Sequence, residues 1–88
     1  MKKAGVNPKP MKVEIINPDT TIFTGDADLV QLPGKDGLFA VLNNHAPLIA
    51  VLKKGKVRIV DKNNKTQFFE IKGGVIEVVR NKVLILAE

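Results

Sequence analysis

The chain has 88 residues, 44% of them hydrophobic, with no cysteine and a formal net charge of +5. A chain of this size is one small domain that buries roughly 60–65% of the surface its unfolded form exposes, so it builds a single core with little stability in reserve. The lack of cysteine excludes disulfides and thiolate metal sites. No stretch reaches the ~18 consecutive apolar residues of a helical membrane span, and no signal-peptide apolar core follows Met1-Lys2-Lys3, so a soluble, cytosolic chain is expected.

The first ten residues, Met1 to Pro10, carry three lysines, Gly5 and two prolines with almost no apolar content; a flexible arm is expected there, ahead of one domain over 11–88. Met11 to Asn17 alternates, with Met11, Val13 and Ile15 on one face and Lys12, Glu14 and Ile16 on the other, which is the pattern of a half-buried strand. Pro18-Asp19 turns the chain. Thr20 to Thr24 suits a short strand, Gly25-Asp26 interrupts it, and Ala27 to Leu32 resumes with Val30 and Leu32 inward. Later, Lys56 to Lys62 alternates with Val57 and Ile59 inward, Asn63-Asn64 offers a turn that tolerates positive φ, and Thr66 to Ile71 returns. Gly73-Gly74 separates that strand from Val75 to Val79, and Arg80-Asn81 turns into Val83 to Leu86. These are roughly nine to ten short strands. They predict an all-β domain, a small antiparallel β-sandwich or flattened barrel. All four aromatic residues are Phe, so Val, Ile and Leu must fill its core.

The densest punctuation lies between Leu32 and Gly55, LPGKDGLFAVLNNHAPLIAVLKKG. Pro33-Gly34 and Gly37 mark a tight turn, and Asn43-Asn44-His45-Ala46-Pro47 marks a loop between two apolar runs. No helix fits, although Ala46 to Leu52 could form a single turn. Gly34 and Gly37 do not make a phosphate-binding loop, because neither GK[ST] nor a following helix accompanies them. His45 is the single histidine and serine is absent. A catalytic dyad or zinc site therefore lacks second members, and loop hydrogen bonding is the plain structural role for His45. Neither a catalytic residue, a metal ligand nor a cofactor site is expected. Adjacent glycines at 73 and 74 mark a bulge or a close backbone approach, a structural role. The positive charge is spread along the chain. Its densest group, Lys53, Lys54, Lys56 and Arg58, alternates with Val57 and Ile59 as a solvated strand face would.

The order LPG, G, VL, HAPL, LKKG and RI, with INPDTTIFTGDADLVQLPG before it and FFEIKGGVIEVVRNKVLILAE after it, resembles the N-terminal β-domain of the ε subunit of F-type ATP synthases over Met11 to Glu88. The resemblance implies a non-catalytic central-stalk subunit of a proton-translocating rotary enzyme, peripheral on the cytoplasmic face of the bacterial inner membrane. Its expected partners are the γ subunit and the c-ring, within the α/β/γ complex. Contact with the membrane itself is only indirect, through the complex. By the same resemblance, Asn44, His45, Ala46 and Pro47 face γ, and Gly34, Lys35, Asp36, Gly37 and Leu38 face the c-ring. The chain departs from the family pattern where Asn43-Asn44 replaces Pro-Gly, where Ala40 replaces glycine, and where Lys54 replaces proline. The sequence ends at Glu88 without the helical hairpin of most ε subunits, so coupling without self-inhibition or ATP sensing is expected if these residues are the whole subunit. The alternative reading is a small basic β-barrel that binds nucleic acid. The absence of Tyr and Trp disfavours it, since single-strand binders stack bases on aromatic rings.

Overall fold

The computed structural model describes residues 10–88, among which seven strands form one mixed sheet in the order β2-β1-β7-β6-β5-β3-β4. The strands are β1 (Met11–Ile16), β2 (Thr21–Ala27), β3 (Leu29–Gly34), β4 (Gly37–Leu42), β5 (Leu48–Val60), β6 (Thr66–Val79) and β7 (Lys82–Ala87). The expected arm lies outside the described residues except for Pro10. The count is seven because two expected interruptions are not breaks: β5 runs through Gly55 for 13 residues, and β6 runs through Gly73-Gly74 for 14; β2 also runs through Gly25-Asp26, and the chain leaves it only at Asp28. Ala46 to Leu52 makes no helical turn, and β5 begins at Leu48. One expectation of pairing fails: β1 and β7 run parallel, while every other pair is antiparallel. The sheet is not closed into a barrel.

What turns a single sheet into a sandwich is a corner in the β5–β6 ribbon. Its register is unbroken, from Leu48 opposite Val78 through Leu52 opposite Gly74 to Val60 opposite Thr66. Yet the side chains that face the core change phase. Leu48, Ala50 and Leu52 face inward before the corner and Val57 and Ile59 after it; across the ladder, Ile71 precedes the corner and Ile76 and Val78 follow it. Strict alternation would put one of these sets in water. At the corner two successive residues, Lys53 and Lys54, stand exposed, and across the ladder Gly73-Gly74 lies opposite Lys53 and Leu52 with φ of 144° and 150°. A Cβ on Gly74 would lie 2.1 Å from the carbonyl oxygen of Leu86 on the neighbouring strand β7, so that position admits no side chain. The expected close approach is therefore present, but as a corner without a register shift. Strands that switch layers through a bend are a recognised way to make such corners.

The corner divides the sheet into two layers. Layer I contains β2, β1, β7 and the halves of β6 and β5 that meet at the Val78–Leu48 end; layer II contains the other halves together with β3 and β4. Between them lie Met11, Val13 and Ile15 of β1, Val30 and Leu32 of β3, Val41 of β4, and Val83 and Ile85 of β7, all but inaccessible to solvent. Phe23 of β2 meets Phe69 of β6 with ring centroids 5.1 Å apart, closing the side where the edges of the two layers face each other. Turn chemistry follows the sequence. The Asn17 side chain accepts hydrogen bonds from the amides of Asp19 and Thr20, Asp61 Oδ1 does the same for Asn63 and Lys65, and Asn64, Arg80 and Asn81 take left-handed backbone.

Candidate functional site

The two segments singled out in the sequence emerge at opposite ends of the sandwich. The turn from Gly34 to Leu38 sits at the corner: Gly34 pairs with both Gly37 and Leu52, and the Lys35 amide donates to the carbonyl of Val51 at 2.9 Å. Gly37 takes a φ of 137°, which lets β4 reverse directly off β3. Lys35 and Asp36 point into solvent, and Leu38 is 69% exposed, an unusual position for a leucine on a rigid turn. Leu38, Phe39, Ile49 and Val51 line one shallow groove with Lys35 and Asp36.

The other segment, residues 43–47, carries the chain from the edge of layer II to the edge of layer I. It is fastened on both sides. Asn43 Nδ2 donates to Asp28 Oδ1 at 3.4 Å on the layer II side, and the Asn44 amide donates to Asn81 Oδ1 at 2.8 Å on the layer I side. The His45 amide donates to the Leu42 carbonyl, closing a turn whose left-handed residue is Asn44 at φ 64°. His45 Nδ1 lies 2.7 Å from the carbonyl oxygen of Ala46, so as a donor the ring bonds its own loop. His45, Ala46 and Pro47 are exposed. The loop hydrogen bonding expected of His45 is thus present, and the carboxylates of the described residues do not gather around it; among them no group of His, Asp and Glu could hold a metal ion.

A third feature escaped the sequence reading. The outer face of layer I carries a row of apolar side chains that pair across strands: Val51 of β5 opposite Val75 of β6, Val75 opposite Leu86 of β7, and Leu86 opposite Ile16 of β1. Ile49, next along β5, is 73% exposed and Val51 56%. The signal lay in Leu48 to Leu52, an unbroken apolar run. A strand with one wet face alternates, whereas one buried on both faces does not, and the observed sandwich covers just one face of this run.

A rigid folded sheet with an apolar outer face, a protruding turn at one end and a fastened loop at the other belongs to the class of all-β interaction domains. Its exposed apolar row is a surface of the kind that proteins bury against one another. The chain belongs to the ATP synthase delta/epsilon chain family, whose β-sandwich domain matches residues 10–88. It is 42% identical over 80 residues to the ATP synthase epsilon chain of Chlorobium limicola, covering 91% of each chain. Against the epsilon chain of Alkalilimnicola ehrlichii it is 36% identical over 78 residues, which is 89% of this chain and 56% of that one. Among solved structures, a chain of the Euglena gracilis mitochondrial ATP synthase, in a structure of OSCP, F1 and c-ring, superposes with a TM-score of 0.85 at 20% identity, covering 91% of this chain and 51% of that one. A chain from the central stalk and c-ring structure of the Tetrahymena thermophila mitochondrial enzyme superposes with a TM-score of 0.74 at 19% identity, covering 91% and 64%. Those two likenesses concern the fold. The family membership replaces the alternative of a nucleic-acid-binding barrel.

Proposed function

We propose that this domain is a non-catalytic central-stalk part of a proton-translocating F-type ATP synthase, seated between the γ subunit and the c-ring at the cytoplasmic face of the bacterial inner membrane. The loop carrying Asn44, His45, Ala46 and Pro47 meets γ. The turn of Gly34, Lys35, Asp36, Gly37 and Leu38 meets the polar loops of the c-ring. Rotation of the ring then passes through this body to γ, and the task of the domain is to hold both partners without yielding.

The observation that carries this reading is the placement of those two exposed segments at opposite ends of one stiff unit. From Gly74 at the corner to Val79, just before the turn whose Asn81 holds the loop, is six residues of β6, about 20 Å of continuous strand. Each segment is tied by hydrogen bonds to a strand of the sandwich, so torque applied at one end reaches the other through backbone ladders. The exposed Ile49 and Val51 connect the two ends along β5 and give γ an apolar surface to bury.

Binding to the α/β/γ assembly, and to that assembly joined to the c-ring, tests the assignment. His45→Asp should weaken association with α/β/γ, and Leu38→Asp should spare that step but weaken attachment to the ring. Both variants should melt close to the parent, since exposed substitutions cost under ~0.5 kcal/mol. A His45→Asp protein that fails to fold, together with a Leu38→Asp protein that assembles normally with the ring, would show the faces to be wrongly assigned.

A further inference from the structure

Resting on the reading of residues 43–47 as a partner-binding loop, we propose that Asn81 is the positioning residue that sets the loop's shape and, through it, partner affinity. Asn81 stands 37 residues from Asn44 in sequence and belongs to a different turn, yet its Oδ1 accepts the Asn44 amide at 2.8 Å. That bond is shorter than the 3.4 Å one by which Asn43 reaches Asp28. The turn that presents this oxygen is itself fixed. Arg80 and Asn81 take φ of 50° and 63°, the mirror-image two-residue turn that matches strand twist, and Val79 pairs with Lys82 directly across it. The Asn81 carbonyl accepts the Lys12 amide at 3.1 Å, and its Nδ2 lies 3.4 Å from the Pro10 carbonyl oxygen. A single residue thus joins β1, the β6–β7 turn and the loop.

The loop needs such a hold. Asn44 sits in the left-handed region at φ 64°, which asparagine tolerates but does not keep to the exclusion of other conformations unless something fixes it. The hydrogen bonds of His45 close turns within the loop and do not anchor it to layer I. The long contact of Asn43 to Asp28 holds one side of the loop, and Asn81 holds the other. Released from Asn81, the loop would sample other conformers, and a partner would bind the competent fraction alone.

The test uses three variants of the 88-residue chain. Asn81→Gly keeps a residue at ease with left-handed backbone but removes the carboxamide, Asn81→Asp restores the acceptor oxygen, and Arg80→Gly alters the same turn without touching the contact. Asn81→Gly should keep the parent's circular dichroism while the Asn44 amide exchanges at least ~5-fold faster and affinity for the α/β/γ assembly drops about 5-fold. Asn81→Asp should restore both, and Arg80→Gly should change neither. Unaltered Asn44 exchange in Asn81→Gly overturns the proposal, as does an equal effect from Arg80→Gly. It is also overturned if Asn81→Gly binds like the parent while His45→Asp binds poorly. If His45→Asp itself binds like the parent, the interface reading fails, and with it the effect on affinity; exchange at Asn44 still decides whether Asn81 shapes the loop.

Discussion

The two halves of the β5–β6 ribbon share strands, register and an apolar inner lining, yet their outer faces differ in kind. On the layer I side of the corner the outward residues include Ile49, Val51 and Val75; on the layer II side they include Lys54, Lys56, Glu70 and Lys72, with Phe68 as an apolar exception. Inner faces of both halves answer to one requirement, exclusion of water, and so they look alike. Outer faces answer to surroundings, and the contrast separates a surface suited to burying against another protein from one suited to solvent. The corner marks the border.

The largest perturbation of that comparison is at the corner itself. Gly74→Val places a branched side chain where a single Cβ would already lie 2.1 Å from the Leu86 carbonyl. The β6–β7 ladder must open for it, and the expected cost is on the order of 4 kcal/mol, a large share of what a small domain has. Urea denaturation should show an unfolded or barely folded protein; a parent-like midpoint would mean that the ribbon turns its corner without Gly74.

Gly73→Ala asks for less. The nearest atoms to a Cβ there are the Leu52 carbonyl and the Glu88 carboxylate at 3.4 Å, ordinary contacts, so the cost is that of holding alanine at a φ of 144°. About 1–2 kcal/mol is expected. The ordering of the two glycines is the sharper prediction: equal losses in melting temperature would show that backbone conformation, and not space, governs the corner.

Lys54→Glu should have the smallest effect, with the opposite sign. The register sets Lys54 opposite Lys72, between the pairs Lys53–Gly73 and Gly55–Ile71. Like charges across a ladder destabilise and opposite charges stabilise, by roughly 0.2–1 kcal/mol. The variant should melt slightly above the parent at low salt, with the gain shrinking as salt is added. A loss of stability would mean that the corner spreads the two ammonium groups beyond each other's reach.

How much of this was legible in the sequence depends on how local its cause is. Alternation in Met11–Ile16 and at Val57 and Ile59 correctly named buried faces, and Asn64, Arg80 and Asn81 sit in the turns that their tolerance of positive φ suggested. Gly73-Gly74 was read as a separator because, within a window of a few residues, a glycine pair resembles a strand end. What makes it a corner inside one strand is the approach of Leu86 from β7, a contact that no local pattern encodes. The parallel pairing of β1 with β7 was invisible for the same reason. In the candidate site, the turn and loop came from the resemblance of their motifs to a family. The apolar row beside them was visible in Leu48 to Leu52, had the lack of alternation there been taken as a sign of two buried faces. Asn81 was read as a turn residue; its bond to Asn44 arises from folding alone.

The position of β7 has a bearing on how the molecule is made. It lies between β1 and β6 in the middle of layer I, although its residues, 82–87, follow the other six strands of the sandwich. The β1–β2 hairpin therefore leaves a ribosome with one edge of β1 unpaired, and that edge stays open until β7 has been made. Pairings so distant in sequence are slow, with folding times in the range of milliseconds to seconds for topologies of this kind. Until β7 is made the hairpin keeps an uncapped sticky edge, and chaperones that shield such edges have their opportunity before that strand arrives.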